Sequence, residues 1–268
     1  EHRQEAAQFV VAAGGVETPR LLLLSESDHY PDGLANSSGL VGKFFMDHLF
    51  AGTGGVLDEP TRQGHIGFLT SESHQFYDAA DAEVGPFKLE FFNYAGPSPV
   101  ESALTGDDWG DALLERLKSE YGSHIGMGAL VESIPSEDSY IGLDPDETDA
   151  HGNPVPDVHW SVDDRALRTI ERANEIQERI LNELGAEITW QVGPDDTGPA
   201  YHHMGTTRMG DDPAESVVDA DCRTHDLDNC WIASSAVFPT GGAMNPTLTI
   251  AALALRCAER VDAALRGE

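Results

Sequence analysis

Lysine is nearly missing from this chain, with three residues, Lys43, Lys88 and Lys118, in 268 positions. Together with arginine the basic residues reach 16 against 47 acidic ones, a formal net charge of −31. A surface this poor in positive charge offers no footprint for phosphate backbones, which excludes nucleic acid as a partner. Long apolar runs are missing too. The longest, around Leu21–Leu24 and Ile250–Leu255, fall far short of the roughly 18 residues of a membrane-spanning helix. Cysteine is scarce: Cys222, Cys230 and Cys257 show no metal-ligand spacing, and an odd number gives no disulfide framework. They read as structural thiols. The opening residues, EHRQEAAQFVVAAGG, carry neither an initiator Met nor the basic and apolar pattern of a cleavable leader. The expectation is the interior of a longer protein, with a cytoplasmic location favoured.

What is present is a folding chain. Apolar residues make up 40% of it, enough for a sizeable core in one large domain or two smaller ones. The acidic residues are interleaved with apolar positions along the whole length, as on the solvated surface of a folded protein. Such acid enrichment with so little lysine resembles the proteins of extreme halophiles.

Local patterns give the elements. Gln8–Ala13 is a short β-branched run closed by Gly14–Gly15, and Glu17-Thr18-Pro19 opens a helix carrying Leu21–Leu24. A Gly/Ser-rich loop and an apolar cluster follow from Gly33 to His48. Strand-like segments come next: GHIGFL from Gly64, PFKLEFFNY from Pro86 and HIGMGALVESI from His124, separated by acidic loops and building a sheet. Leu167, Ile170, Ala173, Ile176, Ile180 and Leu184 recur at helical spacing, and Gly185 stops that helix. Asn229–Ile232 is a strand. Pro246 suits a first helical position, with Asn245 as the N-cap before it, and the helix runs to about Leu265.

The segment from His202 to Val261 carries the chemistry. His202 begins the pattern His-x-x-Gly-Thr, with Arg208, Met209 and Gly210 following, and Asn245 stands in Gly-Gly-Ala-Met-Asn-Pro-Thr-Leu-Thr. An imidazole, with an ordinary pKa of about 6.5, can take a hydroxyl proton near neutral pH. An amide such as that of Asn245 can donate a hydrogen bond to a substrate oxygen. His203 is off this spacing and is a neighbour. Adjacent histidines seldom bind one metal together and no HExxH spacing exists, so no metal site is expected.

This ordered run resembles the C-terminal signature of the glucose-methanol-choline (GMC) oxidoreductases. Gln8–Leu24 and the Met46-Asp47-His48 segment are similar to parts of that family's flavin domain, and the acidic stretch Asp144–Trp160 to a hairpin loop of its substrate domain. The resemblance implies a mixed α/β fold in three pieces. Residues 1–48 would be part of a Rossmann-like FAD-binding domain, 49–198 an antiparallel-sheet substrate domain with helices, and 199–268 the closing segment of the FAD-binding domain. It implies FAD as cofactor, an alcohol, sugar or polyol as substrate, and His202 with Asn245 as the catalytic pair. Ala13, Gly14, Ser234, Ser235, Asn245, Pro246 and Thr247 are implied as cofactor contacts. The helix after Asn245 would stabilise, through its N-terminal N–H groups, the anion of a reduced flavin. Ser234 departs from the pattern, since many members have an Asp there.

The larger departure is that no Gly-x-Gly-x-x-Gly turn, the seat of the dinucleotide pyrophosphate, follows any strand. Two readings follow. Either the chain is the C-terminal half of an FAD-dependent CH–OH oxidoreductase whose N-terminal half is missing or lies on another chain, or it is an inactive remnant that serves as a folded interaction module.

Overall fold

The computed structural model describes residues 2–60, 69–78, 83–93 and 96–267. In chain order the elements are β1 (Phe9–Val11), α1 (Gly14–Leu23), β2 (Leu49–Val56), β3 (Leu69–Ser73), β4 (Phe87–Phe92), α2 (Pro99–Thr105), α3 (Asp111–Glu120), β5 (His124–Val131), β6 (Tyr140–Thr148), β7 (Pro154–His159), α4 (Asp164–Glu183), β8 (Glu187–Val192), β9 (Cys230–Ile232) and α5 (Thr247–Arg266). The expected mixed α/β class with an antiparallel sheet is what forms. The GHIGFL segment lies outside the described residues except for its last, Leu69, which opens β3.

Period-two alternation gives the main sheet two different faces. Its order is β3-β4-β5-β2-β8, with every neighbouring pair antiparallel. Ala51 of β2, Phe87 and Leu89 of β4, and Met127, Ala129 and Val131 of β5 pack against Ala166, Ile170, Ala173 and Ile176 of α4. The opposite face carries Phe50, Lys88, Glu90, Phe92 and Leu130. Glycines on that face make room for aromatic rings: a Cβ on Gly54 would lie 2.3 Å from the Trp190 indole, and one on Gly128 would lie 2.8 Å from Phe50.

Helix α4 begins where Asp163 accepts a hydrogen bond from the Ala166 N–H, and just past its end the chain turns away at Gly185, whose φ of +75° few other residues adopt. Its polar Asn174 and Gln177 are buried and meet Thr53 of β2, whose hydroxyl donates to Gln177 Oε1 at 2.9 Å. Leu184, expected on the buried stripe, is 59% exposed. The helix stops at Glu183, so its last apolar contact is Leu181 instead. Helices α2 and α3 have no counterpart in the sequence reading, although Ser98-Pro99-Val100-Glu101 is a helix-start signal and Ser98 does cap the Glu101 N–H at 3.1 Å.

A second apolar cluster lies apart from the sheet. It joins Leu22, Val41, Met46, Met204, Val218, Trp231, Ile232, Val237 and Cys257. Strands β1 and β9 pair in parallel here, Phe9 beside Cys230. Helix α1 starts at Gly14 (φ +77°), three residues earlier than Glu17, so Pro19 falls inside it. Proline has no N–H for the Gly15 carbonyl. The Thr206 hydroxyl takes that carbonyl instead, at 2.7 Å. Strands β6 and β7 form the hairpin around the acidic stretch, and Arg20 of α1 clamps it through Asp149 and the Pro154 carbonyl, both at 2.8 Å.

Candidate active site

The loop carrying His202 is laid along the segment before β2 by main-chain pairing. Met46 and Met204 exchange hydrogen bonds at 2.9 and 2.8 Å, and the Ala200 N–H donates to the His48 carbonyl at 2.9 Å. Gly205 is required at its place: φ is +95°, and a Cβ would lie 2.1 Å from the Phe44 carbonyl oxygen. Asp47 then accepts the His202 N–H at 2.8 Å. The Gly-Thr of the His-x-x-Gly-Thr pattern thus sets the backbone from which His202 projects.

Around that imidazole a polar network closes. His202 Nδ1 lies 2.9 Å from His48 Nδ1, and His48 Nε2 lies 2.9 Å from the Gly242 carbonyl oxygen. On its other side, His202 Nε2 is 3.4 Å from Asn245 Nδ2. The Asn245 carbonyl oxygen accepts from the Lys88 ammonium, which is also ion-paired with Glu72 at 3.0 Å and Glu90 at 2.6 Å. Because an ammonium can only donate, this contact turns the Asn245 amide so that its NH2 faces His202. Asn245 was expected as the N-cap of α5. Pro246 occupies that position and no side chain caps the helix, because the Asn245 amide is engaged by Lys88 and His202.

Burial shifts these groups. His48 is fully buried and its pKa is pushed down to about 4, first by burial and then by the proximity of His202. Burial also lowers His202, with Asp47 and Glu90 opposing it. Asp47 is raised by burial, against the His202 N–H bond and the two neighbouring imidazoles, His203 Nε2 lying 3.5 Å away.

His202 and Asn245 open together onto a cavity of about 720 Å³ walled by Phe50, Phe92, Leu130 and Val192, with Glu90 and Asp196 as its acidic members. A separate concavity of about 640 Å³ over α4, beside Arg172 and Arg179, contains none of these paired groups. The other expected residues do not all reach this point. Ala13 and Gly14 begin α1, which touches the loop where Gly15 packs on the His203 backbone. Ser234 Oγ accepts from the Ala236 N–H at 3.2 Å, and Ser235 Oγ donates to the His203 carbonyl at 2.6 Å. Ser235 thus braces the His203 loop, whereas Ser234 caps the short turn Ser235–Val237. Pro246 is buried and Thr247 is exposed at the α5 start.

Sequence reasoning did not assign His48, Asp47, Lys88 or Glu90 to the site. Lys88 and Glu90 alternate with Phe87, Leu89 and Phe91, a pattern ordinarily read as the solvent side of a strand. The available signal was a lysine in mid-strand of a chain with three.

A family profile described as GMC oxidoreductase matches residues 135–254, which include both His202 and Asn245. The chain is 34% identical over 271 residues to 2-methyl-1,2-propanediol dehydrogenase of Mycolicibacterium austroafricanum, covering 97% of this chain and 49% of that protein. The chain belongs to the GMC oxidoreductase family. It is also 34% identical to the fructose dehydrogenase large subunit of Gluconobacter japonicus, over 97% of this chain and 48% of that one. Among solved structures, pyridoxine 4-oxidase from Mesorbium loti superposes with a TM-score of 0.67 at 20% identity, covering 94% of this GMC chain and 51% of the other. At that identity the likeness is one of fold. The chain spans about half the length of the curated relatives it matches.

Proposed function

We propose that this chain supplies the substrate-binding and proton-transfer half of an FAD-dependent oxidoreductase that oxidises a CH–OH group of a small polyol or sugar. The observation that carries the reading is the convergence of His202 Nε2 and Asn245 Nδ2, 3.4 Å apart, on one mostly apolar cavity. His202 takes the hydroxyl proton on Nε2, and Asn245 Nδ2 donates to the substrate oxygen as it becomes a carbonyl oxygen. Phe50, Phe92 and Leu130 keep water from the reacting carbon. Glu90 and Asp196 offer acceptors for further hydroxyls, which favours a polyhydroxylated substrate over a simple alcohol. A volume of about 720 Å³ suits a small sugar.

The donor set fits the ring half of FAD. The first turn of α5 is exposed and without a side-chain cap, so its N–H groups are open to an electron-rich ring. Thr247 stands in that turn and Pro246 just before it, while Ala13, Gly14, Ser234 and Ser235 belong to the loops and helix start behind His203. FAD, when bound, would supply the hydride acceptor. With no Gly-x-Gly-x-x-Gly turn in the chain, its pyrophosphate needs a seat elsewhere, on a preceding segment or a second chain.

Two features support such a partner. A parallel pair of strands, β1 and β9, is only the edge of a larger sheet in most proteins, and Phe9 and Val10 on it are 43% and 49% exposed. Helix α5 shows the solvent Leu248, Leu255 and Leu265 at seven- and ten-residue intervals. The two separate apolar clusters likewise favour residues 1–48 and 199–268 as cofactor-side pieces and 49–198 as the substrate domain. An intact base, amide and cavity leave no observation in favour of an inactive interaction module. The test joins the chain to a dinucleotide-binding half and follows anaerobic flavin reduction by polyols and sugars. His202→Ala should slow reduction by at least about 10²-fold; an unchanged single-turnover rate would remove His202 from this role.

A further inference from the structure

His48 has both ring nitrogens engaged and takes no part in the sequence pattern that names His202 and Asn245. Its Nε2 meets the Gly242 carbonyl oxygen at 2.9 Å. A carbonyl has no proton to give, so Nε2 must carry the hydrogen. The residue is fully buried, and burial together with the nearby His202 and Lys88 keeps it neutral near pH 7. A neutral imidazole with Nε2–H has a bare Nδ1. That nitrogen can only accept, and what faces it at 2.9 Å is His202 Nδ1. The proton in that contact therefore belongs to His202, whose remaining nitrogen, Nε2, is left bare beside Asn245 Nδ2.

We propose that His48 is a positioning residue that holds His202 in its Nδ1–H tautomer, so that the unprotonated Nε2 is the one presented to the cavity. The inference rests on the reading of His202 as the base. A chain of single-valued choices runs from the Gly242 carbonyl, which can only accept, through His48 to His202. The partner's neutrality matters as much as its geometry. A carboxylate in its place would stabilise imidazolium and favour a His202 already protonated before substrate arrives, whereas His48 fixes orientation and adds no charge. The charged groups that face His202 are Asp47 and Glu90, which favour its protonation, and Lys88 and His203, which oppose it. After Nε2 takes the substrate proton, His202 still donates from Nδ1 to His48, so the contact serves both states.

The test uses the 268-residue chain labelled with nitrogen-15, with long-range proton–nitrogen correlations of the imidazole rings recorded near pH 7.5. Loss of one set of signals in His202→Gln identifies that ring. The wild-type chain should show His202 with a protonated Nδ1 and a bare Nε2, and a second ring of the opposite tautomer that is lost in His48→Phe. In His48→Phe, His202 should lose its single tautomer. In His48→Asn, whose amide oxygen can stand where Nδ1 stood, the Nδ1–H form should return. A wild-type His202 carrying its proton on Nε2 would overturn the inference, as would a His202 that keeps the Nδ1–H form in folded His48→Phe. In the flavin-loaded enzyme, His48→Phe should lower kcat at least about ten-fold with KM little changed, and His48→Asn should restore most of it. Should His202→Ala reduce flavin normally while the tautomer pattern holds, the base assignment fails and the positioning contact stands.

Discussion

Replacing Lys88 with Met is the sharpest perturbation the site allows. Lys88 is 0% exposed, and its ammonium lies 2.6 Å from Glu90, itself 5% exposed, and 3.0 Å from the half-open Glu72. At an effective dielectric of about 20, a unit pair at the Glu90 spacing attracts by roughly 6 kcal/mol before desolvation is subtracted. Methionine keeps much of the aliphatic stem and removes the charge, so Glu90 stays buried with no cation beside it. Breaking a buried pair in this way costs about 3–5 kcal/mol. In a chain of this length that is a fall of roughly 10 °C in Tm. Urea unfolding of the purified chain, with the slope m unchanged, measures it directly. The double variant Lys88→Met, Glu90→Met removes both charges and should recover to within about 1 kcal/mol of wild type, because a packed apolar pair replaces an ion pair at little cost. A single variant losing under about 1 kcal/mol, or a double variant no more stable than the single one, would refute the claim that the two charges sustain each other.

Two further expectations concern solution conditions. His48 has a folded pKa of about 4 against an ordinary 6.5, so between these values the unfolded chain binds more protons than the folded one. Stability from this residue is therefore full above pH 6.5 and is lost as pH falls toward 4, by about 3 kcal/mol in all. His202 shifts in the same direction and steepens the slope, and His48→Phe should flatten it in urea titrations between pH 7 and 4.5. The charge of −31 predicts salt dependence: carboxylates repel across a Debye length of about 30 Å at 0.01 M and about 3 Å at 1 M. We propose a halophilic surface on this ground, with Tm rising between 0.1 and 2 M potassium chloride and rising further in sulfate; a flat or falling Tm would reject it.

Much of the architecture could be read from local pattern because period and punctuation are local properties. The strand-like runs PFKLEFFNY and HIGMGALVESI gave β4 and β5, the 3.6-residue spacing and Gly185 gave α4, and the ordered run from His202 to Asn245 gave the family. Where helices begin was less legible. Helix α1 takes in Pro19 because Thr206, 187 residues away in sequence, satisfies the Gly15 carbonyl. Asn245 is no cap because Lys88 claims its amide. These outcomes depend on partners that local spacing does not see.

The sequence by itself picked out the two residues proposed for the chemistry, since their types and flanking glycines carry that signature wherever the chain goes. Tertiary structure decided how they are held. Lys88 and Glu90 alternate with apolar neighbours as a solvent face would, and only the closing of the His202 and Asn245 loops over that face of the sheet makes it an interior. His48 is one imidazole among 11 in the composition until main-chain pairing of Met46 with Met204 sets it against His202 and turns its far nitrogen to the Gly242 carbonyl. Burial and hydrogen-bond direction are properties of the assembled neighbourhood, and the proposal of a base whose lone pair faces the cavity rests on them.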